Sequence, residues 1–281
     1  MISILSAKKI SLSFLSFAFL VFPMHAKAQD INNTPPAELS VLQNIESDFK
    51  PDKKSTALPL DIRGDALKEA AFSYGARGGL SWRTYLVSKE LEKQARYLDK
   101  VFDFRQLLIP APSGLLIEPP IISESFDSMF IEGDGREAAV ADRVINIGRN
   151  ARIVSAARTW RFYLERQWGE VLPPPDVLRP INDKERAEWI EHVAQGWEKG
   201  IEQANEIFQA DLNQLVADYQ GMIRYRTLLA QGMVSPPYAL QVDKGVTGGG
   251  DTMRIGDRAL SITDPSRLNA SGYREWQPAN R

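Results

Sequence analysis

Beyond Asn182 apolar side chains return every three or four positions: Trp189, Val193, Trp197, Ile201, Ala204, Phe208, Leu212, Leu215, Tyr219 and Met222. A period near 3.6 predicts one amphipathic helix. Asn182 stands where a helix needs an N-cap, Glu185 follows three residues later as in a capping box, and Asp183 and Glu185 suit the positive end of the dipole. Gly232 and Pro236-Pro237 stop the pattern. About 48 residues at the standard rise span roughly 70 Å, more than the width of a small domain. The helix is therefore expected to bend near Gly196, Gly200 or Gly221, or to act as a strut between parts of an assembly. Glu185, Glu188, Glu191, Asp211 and Asp218 fall mostly off the apolar stripe and read as its wet side.

A second helical stripe runs through Leu67, Ala71, Tyr74, Gly78, Trp82, Tyr85 and Leu86 and resumes at Leu91, Ala95, Leu98 and Phe102. Gly75, Gly78 and Gly79 interrupt it, which predicts two helices or one with a close-packed, kinked centre. Prolines 110, 112, 119 and 120 restrict the apolar stretch Leu107–Ile122 to an extended edge segment or an ordered loop. Two β-branched runs, 143–147 and 151–155, flank Gly148-Arg149-Asn150 and predict a hairpin. Thr252–Ile255 and Arg258–Ile262 around Gly256-Asp257 predict another, with a type II′ turn. A short helix is expected over Trp160–Trp168, ended by Pro173-Pro174-Pro175. Residues 29–60 are polar and proline-punctuated, an arm holding at most one short helix near Leu39–Ile45; the tail 264–281 is polar and expected to be loose. The fold class is thus α+β, mainly helical, with long helices and short antiparallel hairpins in a single globular domain, 61–263, after a flexible N-terminal arm.

The first 28 residues change the picture of where the chain works. Lys8 and Lys9 precede an apolar run over Ile10–Phe22, and Pro23 leads to Ala26-Lys27-Ala28. This is the order of a secretory signal peptide, with Ala26 and Ala28 as the signal-peptidase recognition residues and cleavage expected after Ala28. The run reaches only about 20 Å as a helix, against a hydrocarbon core of roughly 30 Å. No later segment is apolar and long enough to span as a helix, and the alternating segments of an outer-membrane barrel are not seen. The expected location is periplasmic.

With no cysteine in 281 residues, disulfides and an N-terminal lipid on a cysteine thiol are excluded, so stability rests on a packed core. Three of the 34 basic residues (Lys8, Lys9, Lys27) lie in the leader, which leaves 31 against 36 acidic, a net charge of −5. Direct nucleic-acid binding is not expected of such a chain. Seven arginines between Arg136 and Arg166 form a local exception, read as solvated faces and ion pairs.

Catalytic chemistry finds little to use. Beyond the leader the one histidine is His192, inside the long helix and without a G-x-S-x-G elbow, and thiolate sites are absent. Gly245–Gly250 has no Lys-Ser/Thr after it, so it reads as a structural loop rather than a phosphate loop, one suited to packing against a neighbouring subunit. No enzyme, cofactor or metal is expected. Among the six tryptophans, Trp82, Trp189 and Trp197 fit helix stripes and are assigned to the core. Trp160 and Trp168, with Gly248, Gly249 and Gly250, are candidates for a subunit interface.

Several strings carry a resemblance. Ala71–Leu80 (AFSYGARGGL) with Trp82-Arg83, then Leu98–Phe102, Ala141–Val144, Trp160-Arg161 with Tyr163-Leu164, Gly196-Trp197 with Gly200-Ile201, Gly221-Met222 with Arg224-Tyr225, Met233–Pro236 and Gly245–Gly250 run in the order seen in the DotC family. The resemblance covers about residues 61–262, and its two glycine-rich strings are the most specific. DotC-like proteins, including TraI-type proteins of I-type conjugative plasmids, belong to the outer-membrane core complex of Dot/Icm-type secretion systems. The resemblance therefore implies a structural subunit of a multi-subunit ring. Its implied partners are a DotD-like lipoprotein and a DotH-like core subunit that it helps to place. Family members are typically lipoproteins; without a lipobox cysteine, recruitment to the outer membrane through a lipidated partner is the expectation here. Competing readings are a periplasmic adaptor or binding protein outside any secretion machine and a cell-wall hydrolase.

Overall fold

A computed structural model describes residues 35–47 and 60–276, apart from 112, 113, 133 and 135. The leader, with Ala26 and Ala28, and the last five residues lie outside the described residues.

Two long helices carry the fold: α2 (Leu60–Val101), preceded by the short α1 (Leu39–Gln43), and α4 (Asp183–Ala230). The N-terminus of α4 is built as its sequence predicts. The Asn182 side-chain oxygen accepts from the Glu185 N–H at 2.9 Å, while Glu185 accepts from the Ile181 N–H at 3.1 Å. The helix runs all 48 residues to a C-cap at Gln231.

The two helices pack side by side and parallel. Arg63 meets Glu185, Lys68 meets Glu188, Arg83 meets Asn205 at 2.6 Å, and the Phe102 and Tyr219 rings lie 5.3 Å apart. Partners advance together along both chains, so the pairing never reverses direction. At its centre Gly75 and Gly79 face the backbones of Val193 and Trp197, while Gly196 and Gly200 face Phe72 and Ala76. A Cβ on any of the four would fall closer than 3.0 Å to backbone of the other helix. Thus α2 is one continuous helix, and its glycines let two backbones touch without a break.

Parallel helices need a chain of comparable length to return between them, and residues 102–182 supply it. After a 3-10 turn at Phe104–Leu107 come β1 (Ile109–Pro110), β2 (Leu116–Glu118), β3 (Ile121–Glu132), β4 (Glu137–Arg149), β5 (Arg152–Val154) and α3 (Arg161–Leu164). A small antiparallel sheet has the order β1-β2-β5, with Leu116 opposite Val154 and Ile117 opposite Ile153. Pro110 sits on the edge strand, where a missing N–H does least harm, but the proline-free Leu116–Glu118 is the central strand rather than an edge.

Both predicted hairpins are corrected. β4 does not turn back on β5; it pairs over its length with β3, from Ile121 opposite Arg149 to Glu132 opposite Glu137. Gly148 lies within β4, and Asn150-Ala151 passes the chain to a different sheet. After α4, β6 (Tyr238–Gly249) pairs with β7 (Thr252–Asp264) around a two-residue turn, Gly250-Asp251. Gly256 (φ +70) is not a turn residue. It is the extra residue of a bulge inside β7, where the register shifts between Gly245–Asp257 and Val246–Ile255.

Other expectations change too. The helix expected over Trp160–Trp168 is confined to four residues of α3, and the chain from Glu165 to Pro175 is irregular. The N-terminal arm is docked where it is described: Leu42 of α1 is fully buried and its carbonyl accepts from the Trp189 indole at 3.1 Å. The tail is held as well, since Val234 bridges Leu268 and the Ser235 N–H donates to the Arg267 carbonyl at 2.9 Å.

Three apolar clusters line the helix pair. The first joins Leu42, Leu67, Ala71 and Tyr74 to Trp189, Val193 and Trp197, so Trp189 and Trp197 are core residues as expected, and Trp82 packs against them half-buried. The second joins Phe104, Leu107, Trp160, Tyr163 and Leu164 to Leu215 and Met222. The third, at the C-terminal end of α4, gathers Ile122, Tyr225, Leu228 and Val234.

Candidate functional site

The first feature that the sequence reading did not assemble is a buried charged node. Glu118 closes β2, Arg158 comes from the loop before α3, Tyr163 from α3, and Asp218 from α4. Their side chains are sealed from solvent, with Arg158 7% exposed, Glu118 4% and Asp218 2%. Arg158 Nε donates to Glu118 at 2.8 Å and its Nη1 to Asp218 at 3.0 Å. The Tyr163 hydroxyl donates to Asp218 at 2.6 Å, and Gln214 Nε2 donates to the other Asp218 oxygen at 2.6 Å. Arg152 binds Glu118 with two nitrogens, at 3.0 and 3.1 Å, and Arg149 pairs with Asp218. Burial, followed by the bond to Asp218, pushes the Tyr163 phenol up to about 12.

This node corrects one expectation. Asp218 is not on a wet face, because it lies on the apolar stripe three residues after Leu215 and four before Met222. The arginine-rich stretch forms the ion pairs expected of it. Of its seven members, six (Arg143, Arg149, Arg152, Arg158, Arg161, Arg166) form ion pairs, and Arg158 does so inside the core. The node ties four elements of the returning segment and α4 to one point.

The node has the wrong properties for acid–base work. Each carboxylate is saturated by guanidinium groups or by hydrogen bonds, and a phenol held near 12 does not ionise at neutral pH. A groove of about 320 Å³ beside α2 is lined by Arg77, Ser81, Thr84, Arg166 and Trp168. There Arg166 is engaged by Asp211 and Ser81 donates to the Gly169 carbonyl at 3.0 Å. His192 is half-buried on α4 with no acid beside it in a triad arrangement, and among the described residues no group of His, Asp and Glu has metal-ligand geometry.

The candidate interface residues divide. Trp160 and Trp168 are 3% and 7% exposed; Trp160 donates to Asp99 at 2.8 Å, and Trp168 stacks edge-on against Tyr85 at 5.1 Å. Both are occupied within the chain, so the surface role expected of them is corrected to a core role. Gly248, Gly249 and Gly250 are exposed at the end of the β6–β7 ribbon. Gly248 and Gly249 belong to a strand and Gly250 to its turn, where a structural loop was expected.

These ribbons supply the second feature. Among the described residues β3–β4 and β6–β7 are each two-stranded, with no further strand beside them, and at about 3.4 Å per residue each reaches roughly 40 Å. The root of the first is fixed: Arg224 of α4 donates to Glu124 at 2.8 Å and to the Ile122 carbonyl at 2.7 Å, while Ile145 and Ile147 pack on the third cluster. Its outer half is bare. Phe126, Met129, Phe130, Ile131 and Val140 are 59–68% exposed. On the second ribbon Val246, Met253 and Ile255 are 62–77% exposed, while Tyr238, Leu240 and Val242 lie exposed nearer its root. Isolated exposed apolar residues are ordinary, but a run of them along a ribbon marks an interaction surface. Nothing in the sequence pattern singled out these residues, because the strand pairings that align them were misassigned.

The described chain is thus two parallel helices locked by a buried charged node and bearing two ribbons with exposed apolar faces. A family model described as type IV secretory system, conjugal DNA-protein transfer, matches residues 61–278. The chain belongs to this TraI-type family and takes part in type IV secretion and conjugal transfer. A search among curated proteins returned no match.

Proposed function

We propose that the chain is a non-catalytic structural subunit of the outer-membrane core complex of a type IV secretion or conjugative transfer machine. In this reading it works in the periplasm, is held at the outer membrane by a DotD-like lipoprotein, and helps to place a DotH-like subunit. The match over residues 61–278 carries the reading. The saturated node and the bare ribbons support it, since the first offers no reactive group and the second offers contact surface. The DotC-like strings add the core-complex role: AFSYGARGGL falls at the helix crossing and GVTGGG at the outer end of the second ribbon.

The test is purification of the tagged chain from solubilised outer membranes of its host, with partners identified by mass spectrometry. Recovery in a large assembly with DotD-like and DotH-like proteins is expected. Recovery as a periplasmic monomer without them would overturn the proposed role.

A further inference from the structure

The first ribbon is fastened up to one point and free beyond it. Glu124 of β3 is held by Arg224 of α4 at 2.8 Å and by Arg143 across the ribbon, and Ile122, Ile145 and Ile147 lie in the third cluster. Past Phe126 the apolar side chains of Met129, Phe130, Ile131 and Val140 stand more than half in solvent. The change falls at Asp127, the one non-glycine among the described residues with a left-handed backbone, φ +48. The ladder pairs Phe126 with Arg143 and Ser128 with Ala141 but passes over Asp127 and Asp142 between them. Side chains of a regular strand alternate, which would put residues 125 and 128 on opposite faces. Here the Ser128 hydroxyl donates to that of Ser125 at 3.1 Å, so the strand turns at Asp127.

Two opposed costs meet there. Were β3 regular, its register would set Asp127 directly opposite Asp142, and like charges so placed destabilise a strand pair. The neighbouring Arg143 is already engaged by Glu124. The turn separates the two carboxylates but puts a residue with a Cβ in the left-handed region, which aspartate tolerates better than most. Each arrangement therefore carries one penalty and avoids the other. The second ribbon is bent without this conflict. Its breaks are two bulges, with Lys244 extra on β6 and Gly256 extra on β7, and glycines fill the left-handed positions 245 and 256. Two side chains fasten that bend: Asp243 accepts from the Gly245 N–H at 2.9 Å, and Thr247 donates to Asp257 at 2.6 Å.

We propose that β3–β4 is a two-position arm. Its outer half, from Ser128 to Glu132 and from Glu137 to Ala141, swings about Asp127 and Asp142 between the bent position and a straight one, while its root and the second ribbon stay fixed. The outer part of β3 is about 17 Å long at roughly 3.4 Å per residue, so a change of direction at the joint re-aims Met129, Phe130, Ile131 and Val140 together. A partner that fits those side chains in one position selects it from two that already exist. The device is a property of the arm itself and holds independently of the outer-membrane role proposed above.

The chain has no cysteine of its own, so nitroxide labels attach only where cysteines are introduced. In the full chain, Val140→Cys on the outer half or Asn146→Cys on the root is paired with Ala210→Cys on α4, all at exposed positions, and pulsed dipolar EPR reads the distance. The arm pair is expected to give two distance populations, the bent one matching this structure, and the root pair one. Asp142→Asn should lower the bent-to-straight ratio about two- to fivefold. Added salt screens exposed charges, so it should lower the ratio in the parent chain but not in that variant. On the Asp142→Asn background no repulsion is left to remove and only the backbone cost changes. There Asp127→Gly should raise the ratio and Asp127→Val should lower it, each roughly threefold or more. A single arm distance unmoved by all of these substitutions would overturn the inference. So would two populations for the root pair, or Asp127→Gly and Asp127→Val shifting the ratio the same way.

Discussion

Replacing Arg158 with methionine tests whether the charged node holds the fold together. The guanidinium is 7% exposed and lies between Glu118 and Asp218, which are 4% and 2% exposed. Methionine fills similar volume but leaves two buried carboxylates short of their shared cation. Removing one partner from a buried pair typically destabilises by about 3–5 kcal/mol. Arg152 and Arg149 still reach the same carboxylates, although half of each side chain is in water, so the lower end of that range, about 3 kcal/mol, is expected. For a domain of this size that lowers the melting temperature by roughly 10 °C. Circular dichroism during urea and thermal unfolding measures it, with Arg161→Met as control, because the Arg161–Asp99 pair is exposed, screened by solvent, and should contribute little. Adding Glu118→Gln to Arg158→Met should recover about 1 kcal/mol or more by removing one unpaired charge. If Arg158→Met costs no more than the control, the node is not a fastening point and the reasoning fails.

Gly79→Ala should destabilise even though alanine is the better helix former, because its Cβ would meet the Trp197 backbone; Gly64→Ala, with nothing within 4 Å, should stabilise by up to about 1 kcal/mol. Opposite signs in urea unfolding check the close crossing. Burial raises the Glu185 carboxyl, but its bonds from Arg63 and from the Ile181 N–H outweigh that and hold it below its ordinary 4.5. A lowered folded pKa means stability that is full above 4.5 and lost as pH falls through the folded value, so Glu185→Gln should flatten the acid limb of a stability–pH curve below about 4.5. The Tyr163 phenol, raised to about 12 from 10.0, acts in the opposite sense. Its contribution is full below pH 10 and lost as pH rises toward 12, and Tyr163→Phe should reduce the loss seen in unfolding above pH 10.

Local signals carried far where the structure is local. The cap at Asn182, the 48-residue length of α4 and the core tryptophans Trp189 and Trp197 were all legible from spacing. Failures came where a partner lies far along the chain. Arg143–Ile147 was correctly read as strand-forming, yet its partner, from Phe126 back to Ile122, lies on the N-terminal side, and the glycine at 148 suggested a turn that the backbone does not make. Asp218 is an acid, and by composition acids face water. Only its position between Leu215 and Met222 hinted at burial, and the cations that make burial tolerable come from about 60 and 70 residues upstream. Trp160 and Trp168 follow the same rule: each finds its contact on α2, in Asp99 and Tyr85, which spacing within their own segment does not show.

Stability and exposure are distributed unevenly, and that unevenness bears on function. The helix crossing, the node and the three clusters bury the largest side chains of the scaffold, among them Trp189, Tyr225 and Phe104, so a chain without cysteine can hold itself together. The ribbons gain little from that core beyond their roots, and a two-stranded ribbon is at best marginal in water. Selection for the isolated monomer would favour polar residues at Phe130, Ile131, Val140, Met253 and Ile255, where the side chains touch solvent over more than half their surface. Apolar residues at those positions are a liability in the monomer, since exposed ribbon edges and faces invite association. They become an advantage only when association is the purpose, as in the structural role proposed above.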